Sequence, residues 1–153
     1  MIRLGAIRIV VPGNFRFGCF PIFLTSFSSL AFDDLGCLTA LNELAVFQNS
    51  CLQGALGSLG NILTLSYSAD FLSVVRRATF LGFDQRSLLK TCCGIGEPYN
   101  NNGNRSCGSP GVPVCPNPAQ YIHWDGIHWT QEAYRHIPEI LISDILSKIQ
   151  CVW

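Results

Sequence analysis

Charge is scarce in this sequence of 153 residues: ten Lys and Arg balance ten Asp and Glu, together 13% of the chain, and they are scattered instead of gathered in runs. No basic stripe is available to meet a phosphate backbone, so nucleic acid is not an expected partner, and a membrane surface is disfavoured for the same reason. Long apolar runs are missing as well. No charge lies between Glu43 and Asp70, yet Gln48, Asn49, Gln53, Asn61 and the glycines at 54, 57 and 60 interrupt that interval. It falls short of the roughly 18 apolar residues of a spanning helix and reads as core, so no membrane span is expected. The N-terminal residues, broken by Arg3, Arg8, Pro12 and Gly13, match a secretory signal poorly. Repeats and low-complexity tracts are absent.

What the chain does have is apolar bulk, 48% of its residues, at a length that suits one domain able to bury roughly 70% of its unfolded surface. It also has eight cysteines, at 19, 37, 51, 92, 93, 107, 115 and 151. An even number in a short chain predicts disulfides and an oxidising, extracellular compartment, although eight cysteines allow about 105 pairings and sequence cannot choose among them. Asn104-Arg105-Ser106 is a glycosylation acceptor in a polar stretch, which agrees with secretion. Cysteines that say secreted and an N-terminus with no signal together predict a chain that lacks its beginning.

Ala6 to Val11 is β-branched and apolar at nearly every position and stops at Pro12-Gly13-Asn14, the pattern of a strand buried on both faces. Phe15 to Phe32 is aromatic and serine-rich without a period and reads as a long, partly packed loop. Cys37, Leu38, Leu41, Leu44, Ala45, Leu52, Ala55, Leu56 and Leu59 recur at three and four residue steps, predicting a helix over about 35–59, capped by Asp33 or Asp34 and ended by Gly57 and Gly60-Asn61. Ile62 to Tyr67 reads as a second strand, parallel to the first across this helical crossover, and Phe71 to Ala78 as a short helix. From Thr91 to Pro118 the chain turns to Cys, Gly, Asn and Pro, one long irregular loop that calls for covalent staples. Thr130 caps a last helix whose stripe is Tyr134, Ile137, Leu141, Ile145 and Ile149, and Pro138 should kink or split it. Two buried parallel strands leave open edges, so the α/β class comes with the expectation of an incomplete sheet.

Before that last helix stands His123-Trp124-Asp125-Gly126-Ile127-His128-Trp129-Thr130. An aspartate and a histidine three residues apart, with glycine between, fold into a tight turn that joins carboxylate to imidazole. The carboxylate then fixes the tautomer, and the other ring nitrogen takes a proton from a nucleophile. A plain turn-capping aspartate beside a surface histidine is the competing reading, and His123, Asp125 and His128 as a zinc site is a weak one, since they have no defined ligand spacing. Trp124 and Trp129 read as turn or core packing. The nucleophile is missing: no serine stands in a Gly-x-Ser-x-Gly or Gly-Asp-Ser context, and Gly108-Ser109-Pro110-Gly111 is a turn. Cys92-Cys93 reads as structural, not as a reactive pair.

Several blocks in order carry a resemblance. Val10-Val11-Pro12-Gly13-Asn14-Phe15 and Gly18-Cys19-Phe20-Pro21 come first, then Gly36-Cys37-Leu38 with Asn42-Glu43, then Leu89-Lys90-Thr91-Cys92-Cys93-Gly94 with Pro98-Tyr99-Asn100, and last Trp124-Asp125-Gly126-Ile127-His128 with Glu132-Ala133-Tyr134-Arg135. In this order, from about Gly5 to Ile142, the sequence resembles the plant GDSL esterase/lipase family of SGNH hydrolases.

The resemblance implies a flavodoxin-like three-layer α/β/α sandwich, here a single incomplete domain over 1–153 that lacks its N-terminal strands. It implies a secreted serine hydrolase of carboxylic esters or lipids, with Asp125 and His128 as triad members and no cofactor or metal. The family's Gly-Asp-Ser nucleophile and the glycine and Gly-x-Asn-Asp asparagine of its oxyanion hole have no counterpart in this sequence, so the chain alone is expected to be inactive. The rival reading is a non-catalytic interaction module, or one half of a site completed by an N-terminal partner chain. Arg16 replaces a common family proline, and the junction near Leu59 to Ile62 is short.

Overall fold

A computed structural model describes residues 9–58, 62–65 and 68–149. The predicted strand residues 6–8, Ser66 and Tyr67, the short junction expected at 59–61, Met1 to Gly5 and Cys151 lie outside them.

Two four-residue strands, β1 (Ile9–Pro12) and β2 (Ile62–Leu65), pair in parallel with Ile9 opposite Ile62 and Pro12 opposite Leu65. Among the described residues each has one neighbour. The connection between them is helical, so the α/β class holds as one βαβ unit; two strands do not by themselves draw three layers.

The loop expected over 15–32 is partly helical instead: a 3₁₀ turn at Phe17–Cys19 leads into α1 (Pro21–Ser26). Pro21 at the first helical position needs no N–H partner and pre-sets φ, but six residues are too few to display a period. Cys19 and Cys37 are bridged and fully buried, which ties α1 to the start of the crossover helix.

That helix, α2 (Thr39–Gly57), is shorter than predicted, and the buried face matches the predicted one only in part. Leu44 is 43% exposed and Ala55 is exposed, whereas Asn42, Ala45 and Asn49 are buried. The asparagines are inside because they hydrogen-bond loop backbone that would otherwise be unpaired. Asn42 Oδ1 accepts from Gly18 N at 3.0 Å, and Asn49 accepts from Asn14 N at 2.6 Å while donating to Asn14 O at 2.8 Å. Neither aspartate caps the helix. Leu38 is the N-cap residue, without a side-chain bond, and Asp33 is spent on the preceding turn, where it accepts from the N–H groups of Leu35 and Cys37 at 2.9 Å each.

α3 (Ser68–Arg76) begins three residues earlier than the short helix predicted from Phe71. Phe71, Leu72, Val74 and Val75, with Ala78 just beyond, turn one apolar face inward. They pack with Ile122, Trp129, Ala133 and Ile137 into the core.

α4 (Gln131–Ile149) runs through Pro138 as one helix, not split as predicted. The carbonyl that Pro138 deprives of a donor belongs to Tyr134, on an exposed turn where water is at hand, which softens the cost. Thr130 caps it as predicted: its Oγ1 accepts from Ala133 N at 3.2 Å and donates to Tyr121 O at 2.6 Å.

The long segment from Thr91 is irregular and stapled, as expected, by Cys92–Cys115 and Cys93–Cys107. Ser109 N bonds Ser106 O and Val112 N bonds Ser109 O, so Gly108 to Gly111 is a turn. Among the described residues Cys51 is the free thiol, and no helix is long and apolar enough to cross a membrane.

Candidate active site

The Asp125–His128 turn is held from three sides. Beneath it, Cys92 N and Cys93 N donate to the carbonyls of His123 and Trp124 at 2.9 and 2.7 Å, which ties it to the disulfide-bearing segment. Across it, Trp124 N donates to His128 O at 2.9 Å, and Thr130 N to Ile122 O at 2.9 Å, closing a narrow antiparallel loop. From the side, Ile22 N of α1 donates to Gly126 O at 3.2 Å. Gly126 suits the site, since a Cβ would stand 2.6 Å from Asn101 Oδ1 and 3.2 Å from Ile22 Cβ and would have to push the Asn101 amide aside. Asn101 is itself fixed on α1, donating to Thr25 Oγ1 at 3.2 Å.

Trp129 anchors the far end. It is 7% exposed and meets four rings, Phe15, Phe71, Tyr134 and Phe20, at centroid distances of 4.7, 5.2, 5.3 and 5.8 Å. With Trp129 turned into the core, its neighbour His128 is turned out, its side chain 65% exposed. This is the packing role expected of Trp129.

Asp125 uses its two oxygens separately, one for the turn and one for the imidazole. Oδ1 caps the turn, accepting from the backbone N–H of Ile127 at 2.8 Å and of His128 at 2.7 Å. Oδ2 stands 2.9 Å from His128 Nδ1. Partial burial pushes the Asp125 carboxyl up, but the backbone donors of His128 and Ile127 and the His128 ring outweigh it and hold the group below the usual carboxylate range. An ionised carboxylate on Nδ1 puts the hydrogen there, so Nε2 carries the free lone pair. Among the described residues Asp125 is the one hydrogen-bond partner of the His128 ring.

His123 is not part of this pair. Its ring is fully buried beside Phe20 and Phe71, at 5.6 and 6.1 Å, and neither nitrogen has a hydrogen-bond partner. Burial lowers its pKa to about 3 against an opposing pull from Asp125, so the ring is neutral. The zinc grouping of His123, Asp125 and His128 is not formed: no group of three or more His, Cys, Asp or Glu among the described residues is placed to hold a metal.

Two hollows flank the turn. One, of about 190 Å³, is lined by Asn101, Arg105 and Ser106 together with Asp125 and Gly126. The other, about 340 Å³ and strongly apolar, has His128 on its wall with Phe15, Phe20, Trp129, Tyr134 and Pro138. Sequence reasoning missed this second hollow, and the density of aromatic residues at 15–27 was its one available sign.

No family model matches the chain. Among curated proteins, acetylajmalan esterase 2 of Rauvolfia serpentina is 50% identical over 157 residues, 99% of this chain and 43% of its own length. A GDSL esterase/lipase of Arabidopsis thaliana is 48% identical over 160 residues, again 99% of this chain and 49% of its own. A second Arabidopsis GDSL esterase/lipase is 36% identical over 153 residues, covering 94% of this chain and 40% of its own. The chain thus spans less than half the length of the curated relatives it matches.

Proposed function

From a chain homologous to the plant GDSL esterase/lipases and acetylajmalan esterases along nearly its whole length, we propose that it carries the base half of a serine ester hydrolase site. His128 is the general base through Nε2, and Asp125 orients it. The observation that supports this most is the two-sided use of Asp125, with Oδ1 fixed by two backbone N–H groups and Oδ2 left to the imidazole at 2.9 Å. The carboxylate cannot rotate away without losing the turn, so ring orientation and tautomer are preset before any substrate arrives.

In this role Nε2 removes the proton of a serine hydroxyl as it adds to the ester carbonyl, and the imidazolium that forms is stabilised by Asp125. The serine and the oxyanion donors are supplied by polypeptide other than these 153 residues, in which no Gly-Asp-Ser block occurs. The substrate class is a carboxylic ester, the class that the relatives' names share. The three disulfides suit an oxidising, extracellular setting.

Without its nucleophile a triad enzyme loses about 10⁶ in rate. The oxidised chain alone is therefore expected to leave p-nitrophenyl acetate unhydrolysed above the imidazole background. Turnover that His128→Ala abolishes would overturn the assignment of the nucleophile to other polypeptide. A second reading, a partner chain that completes the domain, is favoured by the two-stranded sheet, whose short parallel strands each pair once among the described residues. Co-purification with such a chain and the return of esterase activity would support it.

A further inference from the structure

We infer that Asn104 is an attachment site for an N-linked oligosaccharide, and that it is filled before the disulfide beside it closes. Asn104-Arg105-Ser106 is the only Asn-x-Ser/Thr triplet in the sequence, and its middle residue is not proline. Presentation separates this asparagine from the others nearby in the fold. Asn42 and Asn49 are buried and spend their amides on loop backbone, and Asn101 is half-buried against α1. Residues 102–106, by contrast, are exposed without interruption. Among the described residues the Asn104 side-chain amide makes no hydrogen bond; its backbone N–H is the group engaged, by Asn102 Oδ1 at 2.9 Å. The amide can therefore be taken up by a transferase without breaking a bond of its own. The three disulfides suit the oxidising compartment in which such transfer takes place.

The co-substrate is a lipid-pyrophosphate-linked oligosaccharide that begins in N-acetylglucosamine. Asn104 Nδ2 bonds to the anomeric carbon of that sugar as the bond from the carbon to the pyrophosphate oxygen breaks. The electron pair leaves on the pyrophosphate, one of the two Nδ2 protons is given up, and nothing is oxidised or reduced. The order of events comes from Cys107, which follows Ser106 directly and is bonded to Cys93. In the closed loop Arg105 N donates to Asn102 O at 3.1 Å, Arg105 Nη2 to Pro110 O at 3.2 Å, and Ser109 N to Ser106 O at 3.1 Å. The triplet is bent where it begins and held where it ends, whereas a transferase must draw its acceptor segment out of the fold. Before closure this stretch of Gly, Asn, Ser and Pro is free to be drawn out. After closure it is competent only for the fraction of time that those bonds are open. The sugar stays clear of the base pair, since the hollow on the Asp125 side is lined by Gly103, Arg105 and Ser106 but not by Asn104.

To test the site, the full chain is expressed behind a cleavable secretory leader in a eukaryotic cell and digested with a peptide N-glycosidase in heavy-oxygen water, which leaves a labelled aspartate wherever a glycan stood. Mass spectrometry is expected to find the label at position 104 alone, lost in Asn104→Gln and in Ser106→Ala and kept in Ser106→Thr. An unlabelled position 104 in the disulfide-bonded protein, secreted or retained, overturns the site. To test the order, purified oligosaccharyltransferase and lipid-linked oligosaccharide are offered the unglycosylated chain, either oxidised or as Cys93→Ser/Cys107→Ser with the other two disulfides formed. The variant should be modified at least about ten-fold faster, and the fully reduced wild type gives the same comparison without a substitution. Equal rates on closed and open forms overturn the order.

Discussion

His123→Leu should stabilise the protein, and by more at acid than at neutral pH. The native ring is fully buried against Phe20 and Phe71 with both nitrogens unpartnered. An unsatisfied buried polar group costs about 1–3 kcal/mol, so an apolar side chain of similar volume is expected to gain on the order of 1 kcal/mol at pH 7.5. The pH dependence comes from charge. Burial holds the folded-state pKa near 3, against 6.5 for the free side chain. Between those values the unfolded chain binds a proton that the folded one refuses, so native stability falls as pH falls, approaching about 1.4 kcal/mol per pH unit and totalling on the order of 4 kcal/mol across the window. Leucine removes that slope. Urea denaturation of the oxidised wild type and variant at pH 7.5, 6.0, 5.0 and 4.0 measures the difference directly. Asp125, whose lowered pKa also costs stability in acid, is common to both proteins and cancels. Parallel stability curves over this range would refute the argument and place water or a partner on the His123 ring.

Other expectations follow from single contacts. Gly126→Ala should cost about 1–3 kcal/mol, because the new methyl must displace Asn101 or Ile22, and thermal melts of the variant read it. Asn49→Ala strands both the N–H and the carbonyl of Asn14 and should cost about 2 kcal/mol, whereas Leu44→Ala on the exposed face of the same helix should cost well under that in the same urea titration. Reducing Cys93–Cys107 and Cys92–Cys115, which close 14 and 23 residues of chain, should remove about 3 kcal/mol each. Denaturation with and without reductant, and faster proteolysis between Gly94 and Val114, would show it.

These contacts also mark what could be read without coordinates. α3 was legible because its apolar positions repeat locally and their partners are other apolar residues, whereas of the stripe expected on α4 Ile137 is buried and Tyr134 is 48% exposed. The extent of the crossover helix was nearly legible, but only part of its buried face was: Asn42 and Asn49 go inside to serve the backbone of Gly18 and Asn14, and nothing near either asparagine in sequence announces a partner 24 or 35 residues away. α1 was lost among irregular aromatics because one turn and a half has no period to detect. Disulfide pairing is a non-local choice that composition cannot make. At the site, Asp125 and His128 were legible since their bond spans three residues, while the hollow beside them draws its walls from residues 15–20 and 127–138. His123 stands next to the Asp125–His128 turn in sequence and apart from it in chemistry, a distinction that only burial reveals.

The central claim is that Asp125 and His128 are a working base pair awaiting a serine. Its most direct test joins this chain to the portion of acetylajmalan esterase 2 that it does not match, and measures kcat/KM for p-nitrophenyl acetate in the fusion and in its His128→Asn and Asp125→Asn forms. The account predicts an active fusion that loses about 10⁴-fold or more with His128→Asn and about 10⁴-fold with Asp125→Asn. An active fusion in which both substitutions leave kcat/KM within about ten-fold, roughly 1.4 kcal/mol of barrier, would contradict it.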